Sequence, residues 1–390
     1  MTLFTIVLII LYTIVSSNID ANEQCNVELI KVHDIDTNGN AGFEYFMQNN
    51  KHYILSANFW DGVSIDMSAK SELLAFDVEE NTIKSIQDFP SKGAHGVDFF
   101  TVHNKSFMII PSYYGCNQNK KVQCFSTIVY QWNTSTNLFD IHQRIQSGGP
   151  SQTDHFETAL GNYIVIAENF ANKVTIMKMN DSFHFELFQQ LDCIGVASIA
   201  IESLHGNTFL VAASYHNNGW KTSSLVFVMS TITNKFEFSQ ALETYGAHDV
   251  EMIIYKNQLF LFISEDRNEK SSMISSSLYI YDRNQFQLKQ VISTDGAHAS
   301  EYFINIDNDL YLAIANFGDR LNNRYDSLSK IYKWNDLLNE MIMVAQIQTQ
   351  GATDFEHFSI NNVDYIIVSN EGDISNRLHQ KSSLYQLKTT

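Results

Sequence analysis

Proline is almost absent from this chain, with three in 390 residues, and no long Gly/Ser stretch or block of like charge interrupts it. Nothing marks a linker, so a single domain is the expectation. Basic residues are also in deficit: 25 Lys and Arg stand against 43 Asp and Glu, a formal net charge of -18, and no Lys/Arg-rich stripe offsets it locally. Such a surface repels phosphate backbones and argues against nucleic acid as a partner, while suiting solubility and contact with cations or basic partners. Cysteines number only four, too few for a disulfide scaffold. With 44% apolar and 13% aromatic residues, the core is large enough to stand without one. Enzyme signatures are missing too: there is no Gly-x-Ser-x-Gly elbow, His-Glu-x-x-His pair, phosphate loop or dinucleotide fingerprint.

Long apolar runs are confined to the beginning, where Met1 to Val15 includes Leu3, Phe4, Ile6, Val7, Leu8, Ile9, Ile10 and Leu11 before small and polar residues follow. Despite lacking a Lys or Arg ahead of it, this run reads as the apolar stretch of a signal peptide, 1–21, cleaved after Ser17 or after Ala21. The mature chain is then expected to be secreted, with no transmembrane segment and in an oxidising compartment. Cys116 and Cys124 bracket a short polar loop and are the expected disulfide. Cys25 and Cys193 could pair with each other, stay buried as thiols, or link to another subunit.

What is present is a repeat. A glycine followed five positions later by a carboxylate occurs as Gly39 with Glu44, Gly93 with Asp98, Gly149 with Asp154, Gly246 with Glu251, Gly296 with Glu301 and Gly351 with Glu356; the copy at Gly195 has Ala200. Successive anchors are 46 to 56 residues apart. Each copy carries four β signals in order, including an apolar second strand such as Tyr163 to Ala167 and an alternating third strand such as Ser277 to Tyr281. Four-stranded units of this length, repeated seven times, predict an all-β, seven-bladed β-propeller. Ser383 to Leu387 reads as a third strand with no fourth after it, and Glu28 to Val32 matches the missing outer strand, so pairing of the two termini is expected to close the ring.

Two copies, Gly246-Ala247-His248-Asp249-Val250-Glu251 and Gly351-Ala352-Thr353-Asp354-Phe355-Glu356-His357-Phe358, are each followed by an apolar strand and then a Ser-x-Ile/Leu-Tyr-like strand. They resemble the epitempin, or EAR (EPTP), repeat of the leucine-rich glioma-inactivated proteins and of a thrombospondin-type laminin G domain protein. The resemblance covers essentially all of the mature chain. It implies a secreted or cell-surface, non-enzymatic propeller that engages extracellular or cell-surface proteins. No leucine-rich or laminin G segment accompanies the propeller here, so no particular receptor is implied.

Positions three and five after each anchor share one side of the innermost strand, and that side can face the central channel. Glu44, Asp98, Asp154, Glu251, Glu301 and Glu356 would ring it, with Asp249 and Asp354 forming a second layer. The favoured reading is that these acids bond backbone amides between blades; the alternative is a Ca²⁺ site, since a hard cation takes six to eight oxygens. His95, His248 and His298, two residues after their anchors, fall on the opposite parity, and separate blades argue against convergence on zinc, so they read as packing residues. Sequons at Asn104, Asn133 and Asn180 fall in turns on one face of the ring. The other face carries the longer loops with Trp60, Tyr113, Tyr114, Trp220 and Phe317, expected to be exposed and to contact a partner. A calcium-dependent propeller hydrolase and a glycan-binding lectin are the alternative functions.

Overall fold

The computed structural model describes residues 27–60, 68–114, 126–372 and 380–389. The expected leader 1–21, Cys25 and the expected Cys116–Cys124 pair lie outside them. Within the described residues, 28 strands form seven four-stranded antiparallel sheets, with one short 3-10 helix at Arg320–Asn322. The chain is an all-β, seven-bladed β-propeller. Blades 1 to 6 each take four consecutive strands, innermost first. Blade 7 takes Ala352–Ile360, Val363–Asn370 and Lys381–Thr389, then receives Val27–Asp36 as its outer strand. That strand pairs from Val27 opposite Thr389 to Asp36 opposite Lys381, the closure expected from the termini.

The seven anchor glycines begin the innermost strands, and all have positive φ, between 53° and 67°. Space is as decisive as dihedral: a Cβ on Gly195 would lie 2.1 Å from the His216 carbonyl oxygen, and one on Gly149 would lie 2.4 Å from the Phe170 ring. The second strands are buried on both faces, which is why they read as unbroken apolar runs; Ile164, Val165, Ile166 and Ala167 are all 0% exposed. The core lies between blades: Phe209 and Val211 of blade 4 pack with Leu259, Leu261 and Ile263 of blade 5.

Two residues before the anchor, six blades place a Ser or Thr, and five of these hydroxyls pair with a hydroxyl at or next to the start of the third strand, as in Ser71 with Ser91 and Ser224 with Thr244. The sixth, Thr37, pairs with Ser382 across the closure. In blade 3 the position is Cys193, 1% exposed, facing Val174 in the same apolar cluster. Cys193 is therefore a free buried thiol, its pKa pushed up to about 12 by burial, and it substitutes an apolar contact for the hydroxyl pair. Linkage to another subunit is ruled out by its depth.

A second recurrence joins the blades at their outer strands. Gln87 donates its Nε2–H to the carbonyl of Phe139 in the next blade (2.7 Å) and accepts the Phe139 N–H at Oε1 (2.8 Å). The same two-bond clamp links Gln143 to Phe185, Gln189 to Phe236, Gln240 to Phe286 and Gln290 to Met341. Each glutamine stands six residues before an anchor. At the same offset, blades 6 and 7 have Ala345 and His33, so the two junctions flanking the closing blade lack the clamp. Replacing Gln189 with Ala removes both bonds of one junction and leaves the Phe236 peptide groups unmatched. The expected loss is about 1–2 kcal/mol of stability, read by denaturant unfolding with an unchanged slope.

Candidate functional site

An innermost strand has no neighbour on its inner edge, so its outward N–H groups need partners from the channel. The side chain three positions after each anchor supplies them by reaching to the next blade. Gln152 accepts the Ile199 N–H (2.8 Å), Ser198 the Val250 N–H (3.2 Å), Asp249 the Ser300 N–H (2.9 Å) and Asp354 the Phe43 N–H (3.1 Å). In the other three blades this position is Gly42, Gly96 or Ala299, which have nothing to offer. A second tier stands two residues on: Glu356 accepts the Tyr45 N–H at 2.8 Å, and Asp154 accepts the Ile201 N–H.

All eight sequence-predicted acids thus come together around one axis. Glu44, Asp249, Glu251, Glu301, Asp354 and Glu356 line a channel cavity of about 160 Å³, room for roughly five waters at about 30 Å³ each. Asp98 and Asp154 stand beside them, close enough to raise the Glu44 pKa. Burial, reinforced by mutual repulsion, holds Glu44, Asp98, Glu251, Glu301, Asp354 and Glu356 well above the usual carboxylate range; burial alone raises Asp249, and it pushes Asp154 up to about 7. Protonated carboxyls can be neighbours where carboxylates cannot. Among the described residues, no group of three or more His, Cys, Asp or Glu side chains is arranged to hold a metal ion.

The histidines depart from expectation. A β-bulge interrupts the pairing between the first and third residues after the anchor, for instance between Ala247 and Asp249 and between Ala297 and Ala299. The extra residue turns position two toward the channel along with position three. His95, His248 and His298 therefore converge: the rings of His248 and His298 are 3.7 Å apart, and that of His95 is 6.3 Å from His248. His248 donates Nδ1–H to the His298 carbonyl (2.9 Å), and His298 donates to that of Thr353 (3.1 Å). Burial, then neighbouring positive charge, lowers His95 to about 3; burial and Arg320 lower His248 to about 3, and His298 also lies well below its usual value, so all three are neutral at physiological pH. Arg320 lies against this layer, its guanidinium 3.8 Å from the Phe317 ring centre and 3.8 Å from buried Asp266, which also accepts from Tyr215 (3.1 Å). Nothing in the sequence around Arg320 distinguishes it.

The loop aromatics divide. Phe317 is only 3% exposed and stacks on His298, a correction to its expected exposure: it belongs to the channel end rather than to the surface. Tyr114 is 37% exposed, while Trp60, Tyr113 and Trp220 are half-buried. Phe59, Tyr113, Tyr114 and Phe170 form one contiguous cluster with ring centres 4.5 to 6.2 Å apart across three blades. Trp220 packs on Tyr215 and His216 and lies under Arg267, 4.4 Å from its ring centre. On the opposite face, Asn104 is exposed in its turn; Asn133 and Asn180 are partly exposed, their side-chain N–H groups bonded to Asp140 and Glu186.

The raised and lowered groups set opposite pH dependences. Asp154 keeps, in the folded state, a proton that the unfolded chain releases near pH 4, so its contribution is complete below about 4 and lost as pH rises to about 7. His95 and His248 act in reverse, losing stability as pH falls from about 6.5 toward about 3. In Asp154→Asn, the melting temperature relative to wild type should climb between pH 4 and 7 and level off above. A difference independent of pH would contradict the assignment.

An EPTP domain model matches residues 285–335 and 343–386, each match running from the outer strand of one blade to the third strand of the next. The mouse thrombospondin-type laminin G domain and EAR repeat-containing protein is 24% identical over 322 residues, 77% of this chain and 38% of that protein. Its human counterpart is 28% identical over 138 residues, 35% of this chain and 20% of that protein. The chain thus spans well under half the length of these relatives. Among solved structures, a Bacteroides uniformis protein assigned as a candidate 6-phosphogluconolactonase aligns with a TM-score of 0.59 at 12% identity, covering 82% of this chain and 89% of its own. The crystal structure of BBS1N in complex with ARL6DN gives 0.58 at 9% identity over 93% and 97%. At such identities the likeness extends to the fold alone. Fold and repeat make the chain a seven-bladed β-propeller, and residues 285–335 and 343–386 within it match the EPTP domain.

Proposed function

We propose that this propeller is a secreted, non-enzymatic binding module that docks an extracellular or cell-surface protein on the face bearing the loops between second and third strands. The observation that carries the reading is the aromatic cluster of Phe59, Tyr113, Tyr114 and Phe170, with Trp220 beside Arg267 on the same face. Aromatic rings pre-packed on tight turns bring large contact area at small entropic cost, the profile of interface hot spots. Trp60 lies in the corresponding loop of blade 1. The channel favours no substrate: at about 160 Å³ it is smaller than the roughly 300–1,000 Å³ of small-molecule sites. Its acids then serve as ties between blades, and Asn104, Asn133 and Asn180 would carry glycans on the face left free. The apolar run from Met1 to Val15, read as a leader, accords with release from the cell.

The test is a screen of the purified protein against an array of recombinant extracellular domains. Hits should lose at least tenfold in affinity with Tyr114→Ala or Trp220→Ala, about 1.4 kcal/mol or more. They should be unaffected by Asn133→Gln on the opposite face. Hits indifferent to both aromatic substitutions would move the interface elsewhere.

A further inference from the structure

The two junctions without a glutamine clamp are also where the outer wall is open. Between blades 7 and 1 a groove of about 590 Å³ is lined by His33, Asp34, Asp36, Glu72, Ile83 and Lys381. Between blades 6 and 7 a second, of about 420 Å³, runs past Ile347, Gln350, Asp34 and Lys381. The coincidence has a local cause. In blade 2, the clamped residue Phe139 lies opposite Trp132 and presents both its N–H and its carbonyl to Gln87 of blade 1. The same place in blade 1 is Ile83, opposite Phe76, and the residue that should reach it from blade 7 is His33. An imidazole is too short and has the wrong donor pattern to serve an N–H and a C=O side by side. Among the described residues, His33 makes no hydrogen bond to Ile83, so the outward peptide groups of an outer strand lie unclamped on a groove wall.

We infer that the groove between blades 7 and 1 is a second, lateral binding site that takes an extended, Lys- or Arg-bearing peptide segment of a partner protein. The chemistry of the missing clamp defines the occupant. A carboxamide is a peptide group on a side chain, so a passing backbone can supply the same N–H and C=O pair to Ile83 that Gln87 supplies to Phe139; this is strand addition at an unpaired edge. Leu74, Ile35 and Ile83 give the groove an apolar floor for alternate side chains. The rim sets the charge. Asp34, Asp36 and Glu72 outnumber Lys381 and Lys31, which is paired with Asp34, and Asp36, whose side chain is 87% exposed, can exchange its ion pair with Lys381 for one with an incoming cation. The other five outer junctions cannot do this, because their own glutamines occupy the edge. This site is independent of the loop-face aromatics.

The variant His33→Gln installs the residue that five sister junctions already carry and should fold at least as well as wild type. A random heptapeptide display library is panned on the full wild-type protein, and each recovered peptide is then titrated against wild type, His33→Gln and the double variant Asp36→Asn, Glu72→Gln. The expected result is a set of peptides rich in Lys and Arg that bind His33→Gln at least tenfold more weakly and lose most of their salt dependence on the double variant. Peptides bound on the loop face would be indifferent to His33→Gln and sensitive to Trp220→Ala, which keeps the two sites apart. Recovery of no peptide weakened by His33→Gln, or of such peptides without basic enrichment, overturns the inference.

Discussion

The innermost strand of every blade has an edge that no other strand covers, and the rest of the structure follows from how those amides are satisfied. An open edge inside a narrow channel cannot be blunted by distance or by a covering helix, and water fits there only a few molecules at a time. The chain answers with side chains that point across to the next blade, so a local need for hydrogen bonds becomes the contact that sets one blade against another. Carboxyls suit this task because each accepts twice, as Asp249 does from Ser198 and Ser300. Seven-fold repetition then crowds acids around one axis, and burial with mutual repulsion raises their pKa values. The acidic ring is a consequence of tying strands together in a circle.

The outer rim repeats the logic with a different group. Glutamine matches a peptide's donor and acceptor in one fork, and the five clamps run without a break from blade 1 to blade 6. The closing blade is the exception on both sides. Its outer strand comes from the other end of the chain, and it is held by a long antiparallel ladder and by hydroxyl contacts such as Thr37 with Ser382. Strong pairing within that blade replaces clamping between blades, and the wall opens as a result.

Much of this was written in period and offset. Glycine at a fixed spacing marked where each inner strand starts, and unbroken apolar runs such as Tyr163 to Ala167 forecast strands covered on both faces. The carboxylates were correctly gathered because positions three and five keep their parity. The histidines were misplaced because His248 and His298 are themselves the extra residues of β-bulges, and period-two reasoning has no sign for that. Phe317 looked like a loop-tip aromatic, yet Arg320 and His298 pack over it; long-range packing decided its exposure. The glutamine clamp was legible in principle, since Gln87, Gln143, Gln189, Gln240 and Gln290 all stand six residues before a glycine. A lone polar residue on an outer strand reads as solvent-facing until its partner in the next blade is seen. Cys193 is the same lesson reversed: its meaning lies in the Ser and Thr that its sister blades carry.

The central claim, that channel side chains rather than solvent or a metal satisfy the inner edges, is tested most directly by residue-resolved amide hydrogen exchange. The seven equivalent amides four positions after the anchors form an internal comparison. Phe43, Ile199, Val250 and Ser300 face an acceptor in the preceding blade and should exchange slowly. Val97 and Thr153, opposite Gly42 and Gly96, should exchange markedly faster, and Phe355, opposite Ala299 but bonded to the adjacent Asp354 carboxyl, should fall between the two groups. Equal protection across all seven would contradict the account.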